Sequence, residues 1–297
     1  MERLIVIAGT NASGKSGLGV KLAARYGGEI VSADSRQVFR RLDLGSGKIT
    51  SEEMQGVPHH LIDVCDPGEF FSMHDFQRLA YEAIDGILSR GRLPFLVGGT
   101  GLYVASVAEG YVMSDAAPDL EYRAYLETFS TPTLYDMLKK AVPDIEIDRN
   151  NRNRVMRVLE KLHAGDSFTP ASAPRYQTLK LGVTWDREVL KARIDERLRR
   201  RLNQGMVDEV RGLLDHGVSR EFLMKLGLEY RFLTQYLTGE IPDYDKMVEG
   251  LGNAIKKFAK RQMTWFKRDQ DILWLDMTAD PETQAVRAID AFLEAKP

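Results

Sequence analysis

Short apolar runs alternate with helical patterns over the first 110 residues of the chain. Three of these runs have the length of buried strands: RLIVIAG (3–9), EIVSADS (29–35) and LPFLVGG (93–99). Between them, residues 16–28 and 71–91 show the spacing of amphipathic helices, and Ser72 with Asp75 three residues later is an N-cap signal. Strands separated by helices indicate β-α-β units, so we expect a parallel sheet.

The pattern changes between about Val112 and Pro174, where no strong strand signal occurs. Three helical patterns follow one another in this region: 119–129, 132–142 and 151–165. The stretch 166–176 is small, polar and proline-containing, which indicates a linker. This region therefore predicts a helical unit rather than a continuation of the sheet.

Strand signals return after the linker. TLKLGVTW (178–185) is another apolar run, helical patterns follow it, and DILWLD (271–276) predicts a last strand. We therefore expect an α/β core formed by residues 1–111 and 176–297, interrupted by a helical insertion at 112–175. The chain shows no internal repeats and no low-complexity tract.

Composition places the chain among ordinary globular proteins. It has 297 residues, of which 43% are hydrophobic and 28% charged. No apolar stretch approaches the roughly 18 residues of a membrane span, and the N-terminal run is too short for a signal peptide. The single cysteine, Cys65, cannot form an internal disulfide. We therefore expect a cytoplasmic protein without a membrane segment.

The charge distribution is uneven although the net charge is only −2. Basic residues concentrate in three segments: RNNRNRVMR (149–157), RIDERLRRR (193–201) and KKFAKRQMTWFKR (256–268). Such segments are either solvated helix faces or binding surfaces for a polyanion, and the sequence pattern alone leaves both open.

A phosphate-binding motif follows the first strand. The pattern G-x-x-x-x-G-K-[ST] is filled by Gly9, Thr10, Asn11, Ala12, Ser13, Gly14, Lys15 and Ser16. The motif lies between an apolar strand and a helix, which is the context it requires. Backbone N–H groups of such a loop hold phosphate oxygens, the lysine adds a charge, and the Ser16 hydroxyl can bind Mg²⁺. An ordinary glycine turn is the alternative, which the intact lysine and serine disfavour.

The second predicted strand ends in Ser32–Gln37. We expect this strand to lie beside the first, which would bring Asp34 near the phosphate loop at the carboxyl edge of the sheet. A carboxylate there can bind Mg²⁺ through water or act as a general base. At an isolated strand end it would more often cap a helix or complete a turn. With the phosphate loop nearby we favour a functional role.

The third strand ends in Gly98-Gly99-Thr100-Gly101. These glycines allow close backbone approach, although a tight strand-to-helix turn would also use them. Nucleotide hydrolases with a phosphate loop usually carry a magnesium-binding aspartate at such a strand end. No acidic residue occurs between Arg92 and Ala108. The sequence thus favours a transferase that uses the loop as a pyrophosphate cradle over an NTPase motor.

Together these motifs resemble the tRNA dimethylallyltransferases, which move a prenyl group from dimethylallyl diphosphate to an adenine next to the anticodon. The matching segments follow the family's order over nearly the whole chain: GTNASGKS (9–16), SADSRQVFR (32–40), GSGK (45–48), PHHLIDV (58–64), FSMHDFQ (71–77), GGTGLY (98–103), RVMRVLE (154–160) and AKRQMTWFKR (259–268). The resemblance implies an α/β, P-loop NTPase-like parallel sheet with flanking helices and a helical tRNA-binding insertion.

The resemblance also implies roles for individual residues. The phosphate loop, an ATP-binding motif elsewhere, would hold dimethylallyl diphosphate with Mg²⁺ as cofactor. Asp34 would be the general base for the adenine N6 amine, Thr100 would contact the reaction centre, and Arg193 would contact the diphosphate. The residues that match tRNA-contacting positions are Asp34, Ser35, Arg36, Gln37, Thr100, Arg123, Asn153, Arg154, Val155, Met156, Arg157, Gly227, Tyr230 and Arg231. The partner would be a tRNA anticodon stem-loop, and we expect a monomer with no obligate protein partner.

Two segments depart from the family's pattern. The usual loop is closer to GPTASGKT, so Thr10, Asn11 and Ser16 differ, but serine keeps the hydroxyl that Mg²⁺ needs. In KLGLEYR (225–231), Glu229 stands where the family commonly has glycine. A glutamate there would disturb a close approach of RNA on both size and charge.

Several conspicuous residues receive no chemical role. His59 and His60 lack partners with zinc spacing, so packing or RNA-shape roles are favoured over metal binding. Cys65 is expected to be a small core residue. Phe258, Trp265 and Phe266 share one apolar helix face, so we expect core packing rather than base stacking.

The sequence thus predicts transfer of a dimethylallyl group to N6 of adenosine 37 in tRNA. One alternative is a prenyltransferase or kinase that acts on a free adenine nucleotide and needs no insertion. A second alternative is a non-enzymatic RNA-binding module, which the intact Lys15, Ser16 and Asp34 disfavour.

Overall fold

The computed structural model describes residues 1–113, 119–165 and 171–295. The chain forms two compact units, a large unit of Met1–Gly110 with Pro174–Pro297 and a small unit of Tyr111–Ala173. The predicted linker begins with 166–170, which lie outside the described residues.

A six-stranded parallel sheet forms the centre of the large unit. Its strands are β1 (Arg3–Gly9), β2 (Glu29–Ala33), β3 (His59–His60), β4 (Pro94–Gly98), β5 (Gln177–Thr184) and β6 (Leu273–Asp276), in the spatial order β3-β2-β4-β1-β5-β6. The predicted parallel sheet is confirmed, but the expectation that β2 lies beside β1 is wrong. Strand β4 separates them, with Phe95 pairing with Ile5 on one side and Ile30 on the other. Because parallel strands are joined by long crossovers, chain order does not determine which strand is the neighbour.

The helices follow the predicted amphipathic segments. In chain order they are α1 (Lys15–Arg25), α2 (Ser51–Met54), α3 (Met73–Ser89), α4 (Gly101–Ala108), α5 (Leu120–Glu127), α6 (Thr131–Ala141), α7 (Arg152–His163), α8 (Arg187–Asn203), α9 (Met206–Asp215), α10 (Arg220–Leu226), α11 (Leu228–Leu237), α12 (Tyr244–Phe266) and α13 (Pro281–Glu294). The predicted cap of α3 is present: Ser72 Oγ accepts from the Asp75 N–H, and Asp75 Oδ2 accepts from the Ser72 N–H.

Alternating side chains of β1 build two cores on opposite faces of the sheet. Leu4 and Val6 pack with α3 and α4, whereas Ile5 and Ile7 pack with α1 and α13. A third core joins α8 to α12, and helices α5 to α7 form a core of their own in the small unit. Among the described residues, no helix is long and apolar enough to cross a membrane.

Candidate active site

The phosphate loop connects β1 to α1 in a conformation that fits an anion. Ala12 and Gly14 both have left-handed backbone angles, with φ of 60° and 87°, which turns successive N–H groups toward one point. Gly14 caps α1 without a side-chain hydrogen bond, so the first-turn amides are open to a ligand. Ser13 Oγ is buried and has no hydrogen-bond partner among the described residues. A phosphate oxygen would supply that partner.

Lys15 extends from this loop into a buried position. Its Nζ donates to the Thr10 carbonyl oxygen at 3.2 Å. Burial lowers the pKa of Lys15 to about 8, while the nearby Asp34 carboxylate acts in the opposite direction. Within the described parts of the chain the ammonium forms no salt bridge, although Asp34 lies near enough to act on it, so a bound phosphate would stabilise its charge.

Asp34, Ser35 and Thr100 lie together at the carboxyl ends of β2 and β4. The Thr100 N–H donates to the Ala33 carbonyl at 3.2 Å, and the Ser35 N–H donates to Thr100 Oγ1 at 3.1 Å. Asp34 Oδ1 accepts from the Arg36 N–H at 2.9 Å, which fixes the carboxylate at the cavity wall. The adjacency of β2 and β4 thus brings the predicted base and the predicted threonine to one place.

Gln262 of α12 joins the phosphate loop to the end of β4, although the sequence reasoning gave it no role. Its Oε1 accepts from the Asn11 N–H and its Nε2 donates to the Gly99 carbonyl, both at 2.9 Å. A side chain at Gly99 would crowd this amide and Lys15, because its Cβ would lie 2.9 Å from Gln262 Nε2 and 3.3 Å from Lys15 Nζ. The one sign of this role in the sequence is that Gln262 is a polar residue on the apolar face of α12.

Helix α8 presents three arginines to the site from one face. Arg193 Nε donates to the Ala12 carbonyl at 3.0 Å, and its guanidinium lies over the Trp185 ring. Arg197 and Arg201 follow one and two turns later and line the cavity. Only Arg193 is among the residues predicted from the sequence. The spacing i, i+4, i+8 nevertheless places Arg193, Arg197 and Arg201 on one face of the helix.

Burial lowers the pKa of Arg197 to about 10 and lowers that of Arg201. The charge of Arg201 lowers the pKa of Arg197 further, and the charge of Arg200 does the same for Arg201. The Glu229 carboxylate acts in the opposite direction on both. Cations that are largely buried and lie close to other arginines are stabilised by an anionic ligand.

These elements enclose a cavity of about 470 Å³. Its polar wall contains Asn11, Asp34, Thr100, Arg197 and Arg201, and its apolar wall contains Leu102, Ile194, Leu198, Ile255, Phe258, Trp265 and Phe266. The expectation that the three aromatic residues are only core is correct for Phe266, which is buried. Phe258 and Trp265 are partly exposed to the cavity instead, because the α12 face that carries them borders it.

Glu229 is turned into the large unit rather than toward solvent. Its Oε2 lies 3.1 Å from Arg36 Nη1 and its Oε1 lies 3.8 Å from Arg201 Nη1. The preceding Leu228 has a φ of 42°, which is unusual for a branched side chain and sets the direction in which α11 starts. The charge conflict with RNA that the sequence suggested is thus reduced, because two arginines neutralise the carboxylate.

Tyr230 of this segment is buried. It has no exposed surface, and its hydroxyl donates to Glu209 Oε1 at 3.1 Å, so the predicted tRNA contact would involve the backbone here and not this side chain. The ring is a core residue because it packs against Gly45, where a Cβ would lie 2.6 Å from it. Gly227 and Arg231 remain at the surface. Gln37 Nε2 donates to the Gly47 carbonyl at 3.2 Å, beside the cavity.

The small unit carries a second group of predicted contacts. Arg123 on α5 and Arg157 on α7 converge on the buried Glu160, with N–O distances of 3.4 and 3.2 Å. Asn153 and Arg154 are exposed on α7. The side chains of Val155 and Met156, also predicted to contact tRNA, are buried in the core of this unit, so their part in the predicted surface is to support the helix. They occupy the apolar face of an amphipathic helix whose other face carries the arginines.

The conspicuous histidines and the cysteine have structural partners. His59 Nδ1 contacts the Val57 carbonyl, and His60 Nε2 contacts the buried Glu29 carboxylate at 2.7 Å. Across the described ranges, no group of three or more His, Cys, Asp or Glu side chains is arranged for a metal ion. Cys65 is buried in a hydrophobic core, as predicted, and burial raises the pKa of its thiol to about 11.

The residues present fit a magnesium ion that is bound together with a diphosphate. Ser16 lies in the first turn of α1, next to the phosphate loop, and Asp34 lines the cavity that Asn11 and Ala12 of this loop also line. Mg²⁺ usually takes one or two protein oxygens, substrate phosphate oxygens and several waters. A serine hydroxyl and a carboxylate near an anion cradle match that preference, whereas a dedicated all-protein metal cage does not form here.

Comparison with known proteins identifies close relatives. A family model described as IPP transferase matches residues 37–269, and one described as isopentenyl transferase matches residues 2–70. The chain is 43% identical over 296 residues to tRNA dimethylallyltransferase 1 of Geotalea uraniireducens, covering 97% of this chain and 98% of the relative.

Solved structures agree in fold. A tRNA isopentenylpyrophosphate transferase from Bacillus halodurans matches with a TM-score of 0.75 and 39% identity, covering 99% of this chain and 96% of the other. A eukaryotic dimethylallyltransferase, whose description is of crystallographic snapshots of the enzyme acting on tRNA, matches with a TM-score of 0.81 and 25% identity over 100% of this chain and 81% of that one. The predicted P-loop-like fold class is confirmed by these matches.

Proposed function

Because this chain belongs to the IPP transferase family, we propose that it transfers a dimethylallyl group from dimethylallyl diphosphate to N6 of adenosine 37 in tRNA. The product is N6-dimethylallyladenosine. The family resemblance predicted from the motifs is confirmed by the family match and by relatives that cover nearly the whole chain. We also propose that the enzyme acts as a cytoplasmic monomer.

One observation supports this reaction best. A single cavity is lined by Asn11 and Ala12 of the phosphate loop, by Asp34 and by an apolar aromatic wall. The end of β4, where a nucleotide hydrolase would carry a carboxylate, is instead occupied by Gly99, packed against Lys15. The cavity therefore suits a substrate with a diphosphate at one end and a hydrocarbon at the other.

The proposed reaction is a displacement at the first carbon of the prenyl chain. The adenine N6 amine forms a bond to this carbon while the carbon–oxygen bond to diphosphate breaks. An exocyclic adenine amine is a weak nucleophile, so alignment and removal of its proton both matter. Asp34 receives the proton, and Thr100, which bonds to Ser35 beside it, helps to place the base.

The leaving diphosphate takes the electron pair of the broken bond. Its negative charge is balanced by the loop amides, Lys15 and Arg193, with Arg197 and Arg201 on the same cavity wall. Magnesium, which Ser16 would help to hold, supplies further neutralisation of the phosphate oxygens when it is bound.

The tRNA contacts proposed here involve two surfaces. Arg36 and Gln37 lie beside the cavity into which the target adenine would be splayed. Arg123, Arg154 and Arg157 form a basic surface on the small unit, which suits phosphate contacts. Such phosphate contacts position RNA but carry little sequence information.

The proposal is tested by incubating the protein with Mg²⁺, labelled dimethylallyl diphosphate and one of three acceptors. The acceptors are tRNA with the sequence A36-A37-A38, the same tRNA with guanosine at position 37, and free AMP. We expect label only in the first. Label in AMP would support the alternative of a free-nucleotide prenyltransferase, and label in none of them would contradict a prenyltransferase. Consumption of ATP with AMP would instead indicate a kinase.

A further inference from the structure

Trp265 separates the main cavity from a second, smaller one. The small cavity has a volume of about 30 Å³, room for about one water. It shares Gly101, Trp265 and Phe266 with the main cavity. Behind these residues the wall combines six apolar residues with an ion-paired cluster of Lys180, Glu109 and Asp269. The apolar residues are Val6, Ala8, Val104, Ala105, Ala108 and Ile272. Trp265 and its two neighbours therefore form a partition between the main cavity and a small space with apolar and charged walls.

The position of the indole is set by the absence of a side chain at Gly101. A Cβ at Gly101 would overlap the Trp265 ring, so the ring lies directly on the backbone of the β4–α4 turn. On its outer side, the Arg268 guanidinium lies 5.6 Å from the ring centre. The ring is thus held in place from two directions and cannot be displaced without cost.

The same turn connects this partition to the phosphate site. Gly99 lies against Lys15, and Gly101, two residues later, lies against Trp265. A diphosphate bound at Lys15 would bring the first carbon of an attached chain to Gly99 and Thr100, since Gly99 is the residue next to Lys15. A chain that then followed the turn would reach Trp265 and the apolar wall.

We propose, on the premise of the prenyl transfer described above, that Trp265 ends the space for the hydrocarbon tail. The partition makes the enzyme select a five-carbon diphosphate over a ten-carbon one. A second isoprene unit that continues along the β4–α4 turn has to pass the indole, and the cavity behind it holds only one water's volume. Pockets discriminate weakly against a missing methylene but strongly against atoms for which there is no space.

The test is a competition between dimethylallyl and geranyl diphosphate, each carrying a different label, for the same A37-containing tRNA. The ratio of the two products gives the ratio of kcat/KM values, and it does not depend on how much of a variant is folded. The proteins are the unaltered chain, Trp265→Ala, Trp265→Leu and the control Trp274→Ala. The control removes an equal ring from β6, which lines neither cavity.

We expect the unaltered chain to use dimethylallyl diphosphate almost alone. Trp265→Ala should raise the geranyl-to-dimethylallyl ratio by about tenfold or more, because removing the ring joins the two cavities, and Trp265→Leu should raise it less. Trp274→Ala should leave the ratio unchanged. The product ratio should therefore increase with the side-chain volume that each substitution removes from the partition.

Three results would overturn the role of Trp265. Efficient geranyl transfer by the unaltered chain would show that the partition does not limit length. An unchanged product ratio in both Trp265 variants, or an equal change in Trp274→Ala, would show that the indole only supports the fold. If the unaltered chain transfers neither group to tRNA, the proposed function itself is wrong, which is a different result from an unchanged ratio.

Discussion

Two buried glutamates, Glu229 in the large unit and Glu160 in the small unit, each pair with two arginines. Around Glu229 the charges are enclosed. The Glu229 side chain is 4% exposed, and its partners Arg36 and Arg201 are 18% and 11% exposed. All three residues line the cavity that contains the phosphate loop. This cluster holds fixed charges around an enclosed ligand site.

Around Glu160, a buried glutamate and two arginines form a basic surface that is exposed to solvent. Glu160 is 6% exposed, but Arg123 and Arg157 are 41% and 48% exposed. The carboxylate anchors the base of both guanidiniums and leaves their outer sides in water. A polyanion can reach these arginines without entering a cavity. The comparison therefore predicts that changes near Glu229 affect chemistry and stability, whereas changes near Glu160 affect RNA affinity and its dependence on salt.

The largest expected effect tests whether the enclosed site carries the chemistry. Asp34→Ala should lower the single-turnover rate by about 10²- to 10⁴-fold, which is the usual contribution of a positioned general base. The Kd for tRNA should change by less than about threefold, because the fold and the basic surface remain. The measurements are rapid-quench transfer to A37 and filter binding of the same tRNA.

A loss of tRNA affinity as large as the loss of rate would contradict the assignment of Asp34 as the base. Asp34→Asn is the matched control, since it keeps the acceptor for the Arg36 N–H but cannot take a proton. It should be as slow as Asp34→Ala.

The second prediction compares the two glutamates directly through stability. Glu229→Gln should lower the free energy of unfolding by about 1–3 kcal/mol, because it leaves Arg36 and Arg201 poorly solvated and without an anion. Glu160→Gln should cost less than about 1 kcal/mol, since its partner arginines can turn to water. Urea unfolding of the two variants side by side measures both values. Equal losses would remove the distinction between an enclosed and a surface cluster.

The third prediction concerns pH and the anion cradle of the phosphate loop. Burial lowers the pKa of Lys15 to about 8, so the free protein loses this charge as the pH rises through 8. A bound diphosphate stabilises the ammonium, so binding takes up a proton above pH 8, and affinity must fall as the pH increases. We expect the Kd of a non-hydrolysable dimethylallyl diphosphate analogue to rise by about tenfold between pH 7.5 and 9.5.

Calorimetry in two buffers of different ionisation enthalpy reports that proton uptake. Lys15→Met supplies the control, because it binds more weakly at every pH and has no lysine to titrate. A pH-independent Kd in the unaltered protein, or the same pH dependence in Lys15→Met, would assign the titration to another group.

Much of this site was predictable from the sequence because its key residues occur in contiguous motifs. The phosphate loop, Asp34 and the Gly98–Gly101 turn each end a strand, and parallel strands bring such ends to one edge. The spatial order of the strands was not predictable, because crossover helices allow several orders. The hydrogen bonds of Gln262 to Asn11 and Gly99 also depend on the strand order, and they join residues that are far apart in the chain.

The predicted tRNA contacts take each matched segment as one surface, which the burial of its side chains does not support. Tyr230, Val155 and Met156 belong to segments with exposed arginines, yet all three are buried. On a helix, neighbouring residues point in different directions, so a contiguous motif mixes contact residues with core residues. The helical period would have separated Val155 from Arg154 and Arg157 without any structure, and the same period would have added Arg197 and Arg201 to Arg193.

The smallest expected effect tests the surface cluster by itself. Replacing Arg154 and Arg157 with alanine should weaken tRNA binding several-fold at moderate salt and leave the single-turnover rate at saturating tRNA nearly unchanged. Each lost phosphate contact should reduce the slope of log K against log salt by about 0.7 to 0.9.

Arg152→Ala is the matched control, because its guanidinium donates to the Phe129 and Glu127 carbonyls within the small unit. It should destabilise the unit without flattening the salt dependence. An unchanged salt slope in the double variant would show that RNA does not bind at this surface. A lower rate at saturating tRNA would show that the Glu160 cluster also positions the adenine. The separation of roles between the Glu229 and Glu160 clusters would then be wrong.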